Sequence, residues 1–214
     1  MNAISDTDQV ESIKPGLRER KRRTTRTSIS QSALRLFAER GYDNVTVDEI
    51  AESCDVSPRT FFRYFGTKEE VLFAEGESRR EHLFAALREQ PDELDPISAI
   101  VGASKIVADH YVADRELLVI RSLIIKQAES LRARDAELPR QWDRGVVDMM
   151  RASGRADGLS ELRLRVVVGA SMTAFRVAIE EWIRSDTEDL HDVIDTAFAC
   201  VGRGLGNDGR SDHD

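Results

Sequence analysis

Between positions 46 and 68 the chain concentrates side chains suited to gripping an anion: Thr46, Arg59, Thr60, Phe62, Arg63, Tyr64 and Lys68. An arginine guanidinium is a planar fork that matches the O6 and N7 acceptors of guanine, whereas lysine and hydroxyl groups suit phosphate oxygens. No comparable set points to catalysis. The four histidines, His82, His110, His191 and His213, are scattered singly, with no serine, cysteine or carboxylate at a recognisable catalytic spacing. There is no glycine-rich phosphate loop and no paired zinc-ligand motif, so neither an enzyme nor a bound cofactor is expected. Cys54 and Cys200 are far apart and without metal-ligand partners in sequence, and read as buried free thiols in a reducing cytosol.

Helices must position these side chains. Ser57-Pro58 is a strong start signal, with Ser as N-cap and Pro at the first helical position. The helix it opens, Pro58 to about Phe65, turns Phe61 and Phe65 inward and leaves Arg59, Thr60, Arg63 and Tyr64 outward. Ahead of it, Thr46-Val47-Asp48-Glu49 is a capping box whose helix ends around Cys54-Asp55, so two short helices flank a turn of three or four residues, the helix-turn-helix spacing. A first helix spans Arg26 to Arg40 and can begin as early as Leu17, with Ile29, Ala33, Leu34, Phe37 and Ala38 at helical spacing and Gly41 as its stop. Thr67-Lys68-Glu69-Glu70 reads as a second capping box, opening a long helix to about Leu87. After the linker Gln90-Pro91 to Asp95-Pro96, helices are expected at roughly 97–112, 114–133, 138–152, 160–185 and 189–204.

The expected class is therefore all-α, with about nine helices: a flexible N-terminal arm at 1–16, a three-helix helix-turn-helix domain at 17–66, a C-terminal helical bundle domain at 67–205 and a disordered tail at 206–214. Low glycine (13) and proline (5) with 33% charged residues agree with a helical chain. The N-terminus is polar and acidic, and the uncharged stretch Val166 to Phe175 is too short to span a bilayer, so no membrane association and a cytoplasmic location are expected.

The net charge of −8 would argue against nucleic acid, but its distribution reverses that inference. Lys14 to Lys68 carries 12 basic and 7 acidic residues, while everything after Lys68 sums to −10. A basic front on an acidic body offers one end to phosphate. Basic residues in the run Lys14 to Arg26 oppose the dipole at a helix N-terminus, so an external phosphate or a minor groove is the expected partner for that run.

Arg26 to Leu72 resembles the DNA-binding domain of the tetracycline-repressor (TetR) family, through Val45-Thr46-Val47-Asp48-Glu49-Ile50-Ala51, then Val56-Ser57-Pro58-Arg59-Thr60-Phe61-Phe62-Arg63-Tyr64-Phe65 and on to Lys68-Glu69. The resemblance implies that the third helix enters the major groove of double-stranded DNA, that Arg59 and Arg63 reach base edges, and that Thr46, Thr60, Tyr64 and Lys68 hold phosphates. Two positions depart from the family pattern. Phe62 replaces a common tyrosine, leaving its ring only packing to offer, and Cys54-Asp55 stands where a glycine is usual, with Asp less tolerant than Gly of a left-handed backbone. The chain also resembles the branch that includes regulators of mycofactocin gene clusters, which implies a small apolar effector such as an acyl thioester.

In the C-terminal part, His110, Tyr111, Arg121, Trp142, Met149, Met150 and Phe175 are candidates for an effector cavity, each weighed against ordinary core packing. Val166, Val167, Gly169, Ala170, Thr173, Ala174, Val177 and Ala197 give the last two helices small, apolar faces. The family pairs these helices across a homodimer, which would read two half-sites; an intramolecular bundle would use them too. The reading as a whole is a repressor released from a palindromic operator by a small apolar effector. The alternatives are an activator or effector-free regulator and, from another class, a helical enzyme or binding protein that would lack salt-sensitive DNA binding.

Overall fold

The computed structural model describes residues 16–127, 129–185 and 189–205, without the side chains of 19, 204 and 205. The expected arm, apart from residue 16, and the expected tail lie outside the described residues. Nine α-helices make up the described chain: α1 Leu17–Arg40, α2 Val47–Ser53, α3 Pro58–Tyr64, α4 Ala74–Arg88, α5 Pro96–Ala113, α6 Arg115–Gln127, α7 Glu129–Ala152, α8 Glu161–Arg184 and α9 Leu190–Leu205. The fold is all-helical as the hydrophobic periodicity predicts.

Local chemistry explains most boundaries. The Thr46 hydroxyl accepts from the Glu49 amide while the Glu49 carboxylate accepts from the Thr46 amide at 2.8 Å, so the capping box of α2 is complete. Gly41, at φ 82°, ends α1. Asp95 caps α5 through the amides of Ile97 and Ser98, with Pro96 in the first turn.

Two expected starts fail. Residues 67–70 form no capping box: Glu69 instead accepts from the Tyr42 hydroxyl at 2.6 Å, and Glu70 reaches back to the Gly66 amide at 2.8 Å. A 3-10 turn, Glu69–Phe73, precedes α4, which begins only at Ala74. No helix begins at the expected residue 138: Pro139 lies inside α7, and the two helices expected to part between 133 and 138 are bounded instead by Gln127 and Glu129. The proline forfeits one backbone hydrogen bond on a largely exposed segment, where water can serve the freed carbonyl.

Two hydrophobic cores result. The larger joins α4, α5, α7, α8 and α9 around Leu83, Leu87, Ile100, Val146, Met150, Leu164, Phe175 and Trp182. The smaller gathers Ile29, Phe37, Ile50, Phe61, Phe65, Val71 and Leu72, and is completed from the C-terminal half by Ile124, Ile125 and Leu131. It continues past residue 66 to Ala74, and α6 with the start of α7 is one of its walls. Fully burying a side chain of this size contributes about 1.5–3 kcal/mol, so the C-terminal half is a structural part of the N-terminal core.

Candidate nucleic-acid interface

The site is built on α3. Ser57 accepts from the Thr60 amide at 3.1 Å, Pro58 occupies the first turn, and Phe61 and Phe65 sink fully into the smaller core. Those two rings fix the rotation of α3, so Arg59, Phe62 and Arg63 stand exposed on the opposite face. Phe62 is 55% exposed, its edge against Phe61, and adds nothing to the core. The turn between α2 and α3 runs through Asp55 at φ 54°, the left-handed region, and the Val56 amide donates back to the Ala51 carbonyl at 3.0 Å. Asp thus holds the conformation that glycine would hold with less strain.

The remaining polar candidates are engaged to different degrees. The Arg63 guanidinium lies 5.2 Å from the Tyr64 ring centroid. The Thr60 hydroxyl shares a 3.0 Å hydrogen bond with that of Ser57. The Thr46 hydroxyl hydrogen-bonds the Glu49 carboxylate at 2.9 Å, so a phosphate at Thr46 must compete with Glu49. The backbone and hydroxyl of Thr46, in that order, with Arg40 beside it, hold the Glu49 carboxyl below its usual range. Lys68 is half-buried: its ammonium donates to the Tyr42 and Val45 carbonyls at 2.9 and 3.1 Å and sits 4.5 Å from the Tyr42 ring centroid. It ties the α1–α2 connection to the segment after α3, a structural duty that the sequence did not disclose. Nearby, burial pushes the Tyr42 phenol up, helped by its bond to Glu69. Burial opposes ionisation of Glu69, but that hydroxyl and further hydrogen bonds leave its carboxyl below the usual range.

Beside Arg63 and Tyr64, Arg18, Lys21, Arg22 and Thr25 of α1 complete an open cleft of about 720 Å³. This basic wall lies outside the helix-turn-helix itself.

The effector candidates separate into two groups. Tyr111 and Phe175 are buried edge to face at 5.7 Å, Met150 is buried in the same core, and Trp142 and Met149 pack against it. His110 and Arg121 are elsewhere. His110 is exposed and stacks on His82 of α4 at 4.5 Å. Arg121, from α6, turns to the smaller core: its Nε donates to the Leu72 carbonyl at 2.7 Å, it pairs with Asp135, and its guanidinium lies 5.4 Å from the Phe73 ring centroid. Arg26 of α1 donates to the neighbouring Ala74 carbonyl at 2.8 Å. The segment entering α4 is therefore held from both halves of the molecule. In the larger core, the hydroxyls of Ser104 and Ser171 are buried without a partner.

An exposed cationic helix braced by a second short helix across a left-handed turn defines a helix-turn-helix DNA-binding protein. The profile described as bacterial regulatory proteins, tetR family, matches residues 29–74, and that of the MftR C-terminal domain matches residues 94–206. The transcriptional regulator TcmR of Streptomyces glaucescens is 33% identical over 81% of this chain and 80% of its own. The regulator MftR of Mycobacterium tuberculosis, named for mycofactocin biosynthesis, is 26% identical over 87% of this chain and 93% of its own. Among solved structures, FadR of Bacillus halodurans, a fatty acid degradation regulator, superposes with a TM-score of 0.60 at 20% identity, covering 94% of this chain and 100% of that one. Thermus thermophilus FadR, a repressor solved with lauroyl-CoA, gives 0.54 at 22% identity, over 84% and 94%. The chain belongs to the TetR family of transcriptional regulators, with a C-terminal domain of the MftR type. It is thus a DNA-binding regulator and not an enzyme, and no helix among the described residues is long and apolar enough to cross a membrane.

Proposed function

We propose that this protein is a cytoplasmic repressor that binds a palindromic operator as a homodimer and is released by a small apolar effector. The observation that carries the DNA reading is the outward face of α3, where Arg59 and Arg63, four residues apart, stand exposed over the buried anchors Phe61 and Phe65. In the major groove these arginines read base edges, and Phe62 can lie against a thymine methyl. Thr60, Tyr64 and Lys68 hold phosphates, and Thr46 joins them by turning its hydroxyl from Glu49 to a phosphate oxygen.

Dimerisation rests on α8. Leu162, Val166, Thr173 and Val177 are exposed along one stripe of the helix, and Gly169 within it has open space where a Cβ would stand. Ala174, in contrast, is 7% exposed and packs in the larger core, so it supports the fold and not the dimer face. Such a stripe is where two copies can approach closely and set the spacing of two half-sites.

The buried aromatic group around Tyr111 and Phe175, with Trp142 and Met149 beside it, supports an apolar effector in the larger core, and the acyl thioester bound by a structural neighbour gives the class to try first. Selection from a random duplex pool should enrich a palindrome, and sedimentation should show a dimer that Gly169→Glu converts to monomer. Calorimetry with medium- and long-chain acyl-CoA should then show affinity for the free protein weakened by operator DNA about 5- to 150-fold, the usual range of allosteric coupling, with the reciprocal loss of DNA affinity. A wild-type monomer at micromolar concentration would refute the dimer. Equal acyl-CoA affinity with and without operator would refute release by this class of effector.

A further inference from the structure

The first three turns of α1, residues 17–28, precede the matched DNA-binding segment, which begins at residue 29. They extend the helix by roughly 18 Å. Arg18, Lys21, Arg22 and Thr25 recur at the spacing of one helical face and look across the cleft at Arg63 and Tyr64 of α3. The neighbouring cations have structural work. Arg23 pairs with Glu81 of α4 at 2.6 Å, and Arg26 donates to the Ala74 carbonyl and lies 4.9 Å from the Phe65 ring centroid. Among the described residues, the side chains of Arg18, Lys21 and Arg22 take part in no hydrogen bond or ion pair, and all three are exposed. Arg20 is likewise exposed and without such a partner among the described residues but does not line the cleft, so the free cations that face α3 are Arg18, Lys21 and Arg22.

We propose that this open side is a second DNA-contacting wall, which holds the phosphodiester backbone adjoining the base pairs read by α3. The inference rests on the reading of α3 as a DNA-binding helix. Three charges within little more than one turn, about 6 Å along the axis, can meet neighbouring phosphates, and they stand on an open cleft shared with α3. Guanidinium and ammonium groups contacting phosphate carry no base information, so the wall strengthens all duplexes alike and lengthens the stretch that each protomer covers.

The test is anisotropy of a random-sequence 40-bp duplex titrated with the full chain at 50–200 mM salt, comparing wild type with Arg18→Gln/Lys21→Gln/Arg22→Gln. Glutamine preserves helix propensity, and circular dichroism with thermal melting confirms the fold. Each lost phosphate contact flattens the log–log salt slope by about 0.9, so three per protomer, six in the dimer, flatten it by roughly 5.4. Over this fourfold change in salt, wild-type affinity should then fall on the order of 1,000-fold further than that of the variant. The charge-matched control Arg88→Gln/Arg140→Gln/Arg144→Gln, on α4 and α7, should keep the wild-type slope. An unchanged slope in the α1 variant, or the same flattening in the control, would overturn the proposal while leaving DNA binding by α3 intact. Absence of salt-dependent binding by wild type would overturn the DNA reading itself, and the wall with it.

Discussion

Replacing Arg121 with methionine should loosen the joint between the two cores. Methionine keeps much of the stem volume while removing the guanidinium, so the change isolates polar contacts. The charged donor to the Leu72 carbonyl, at 2.7 Å and part-buried, is worth about 1.5–3 kcal/mol. The ion pair with Asp135 adds only about 0.5 kcal/mol, because the Asp135 side chain is 39% exposed and solvent screens it. The expected loss is about 2–3.5 kcal/mol, which for a chain of this length lowers Tm by roughly 4–14 °C. Urea unfolding at pH 7, followed by circular dichroism, reads the first quantity and thermal melting the second. Arg121→Lys, which retains a donor but loses the fork, should fall between methionine and wild type. A loss below about 0.5 kcal/mol for the methionine variant would mean that the joint is held by Ile124, Ile125 and Leu131 alone.

Three further outcomes follow from local geometry. Lys68→Met removes the two hydrogen bonds to the Tyr42 and Val45 carbonyls and should cost about 2 kcal/mol in urea unfolding; an unchanged midpoint would limit Lys68 to contact with DNA. Asp55→Val should cost about 1–2 kcal/mol, since a β-branched residue is forced to φ 54°, and an unchanged midpoint would show that the turn relaxes freely. Burial, then the charges of His110 and Arg23, hold His82 below the usual histidine range against the opposing pull of Glu81 and Glu75. The folded state therefore disfavours protonation, so the contribution of His82 is complete above about pH 6.5 and is lost as pH falls through its folded pKa. His82→Gln should flatten the decline of Tm below that pH, and an identical decline in the variant would assign the dependence to other groups.

What the sequence made legible was local. The box at Thr46–Glu49 and the start at Ser57-Pro58 depend on residues within four positions, and both form as expected. Thr67–Glu70 has the same letters, yet Glu70, the residue that would close the box, accepts from the Gly66 amide instead, and no side-chain cap forms. Arg121 has the look of a polar group for a cavity, but its partner is a carbonyl 49 residues earlier, which no periodicity reveals. In α8 the apolar positions run around much of the helix, so the pattern alone could not separate buried Ala174 from exposed Thr173 and Val177. Two buried phenylalanines four apart made the exposure of Arg59 and Arg63 legible, but Thr60 and Tyr64, also expected outward, are half-buried, Tyr64 against the smaller core, while Phe62 is exposed. The open side of α1 required structure, since the cleft shared with α3, together with the contacts made by Arg23 and Arg26, sets Arg18, Lys21 and Arg22 apart.

The central claim is that α3 reads bases while its surroundings hold the backbone. Its most direct test is the affinity of Arg59→Ala and Arg63→Ala for the selected duplex and for a scrambled duplex of equal length at one salt concentration. Each bidentate guanine contact discriminates by about 1–3 kcal/mol, so each variant, losing one in each half-site, should bind the selected duplex roughly 25- to 20,000-fold more weakly relative to the scrambled one. An equal loss on both duplexes would contradict the account, because the two arginines would then be holding phosphate.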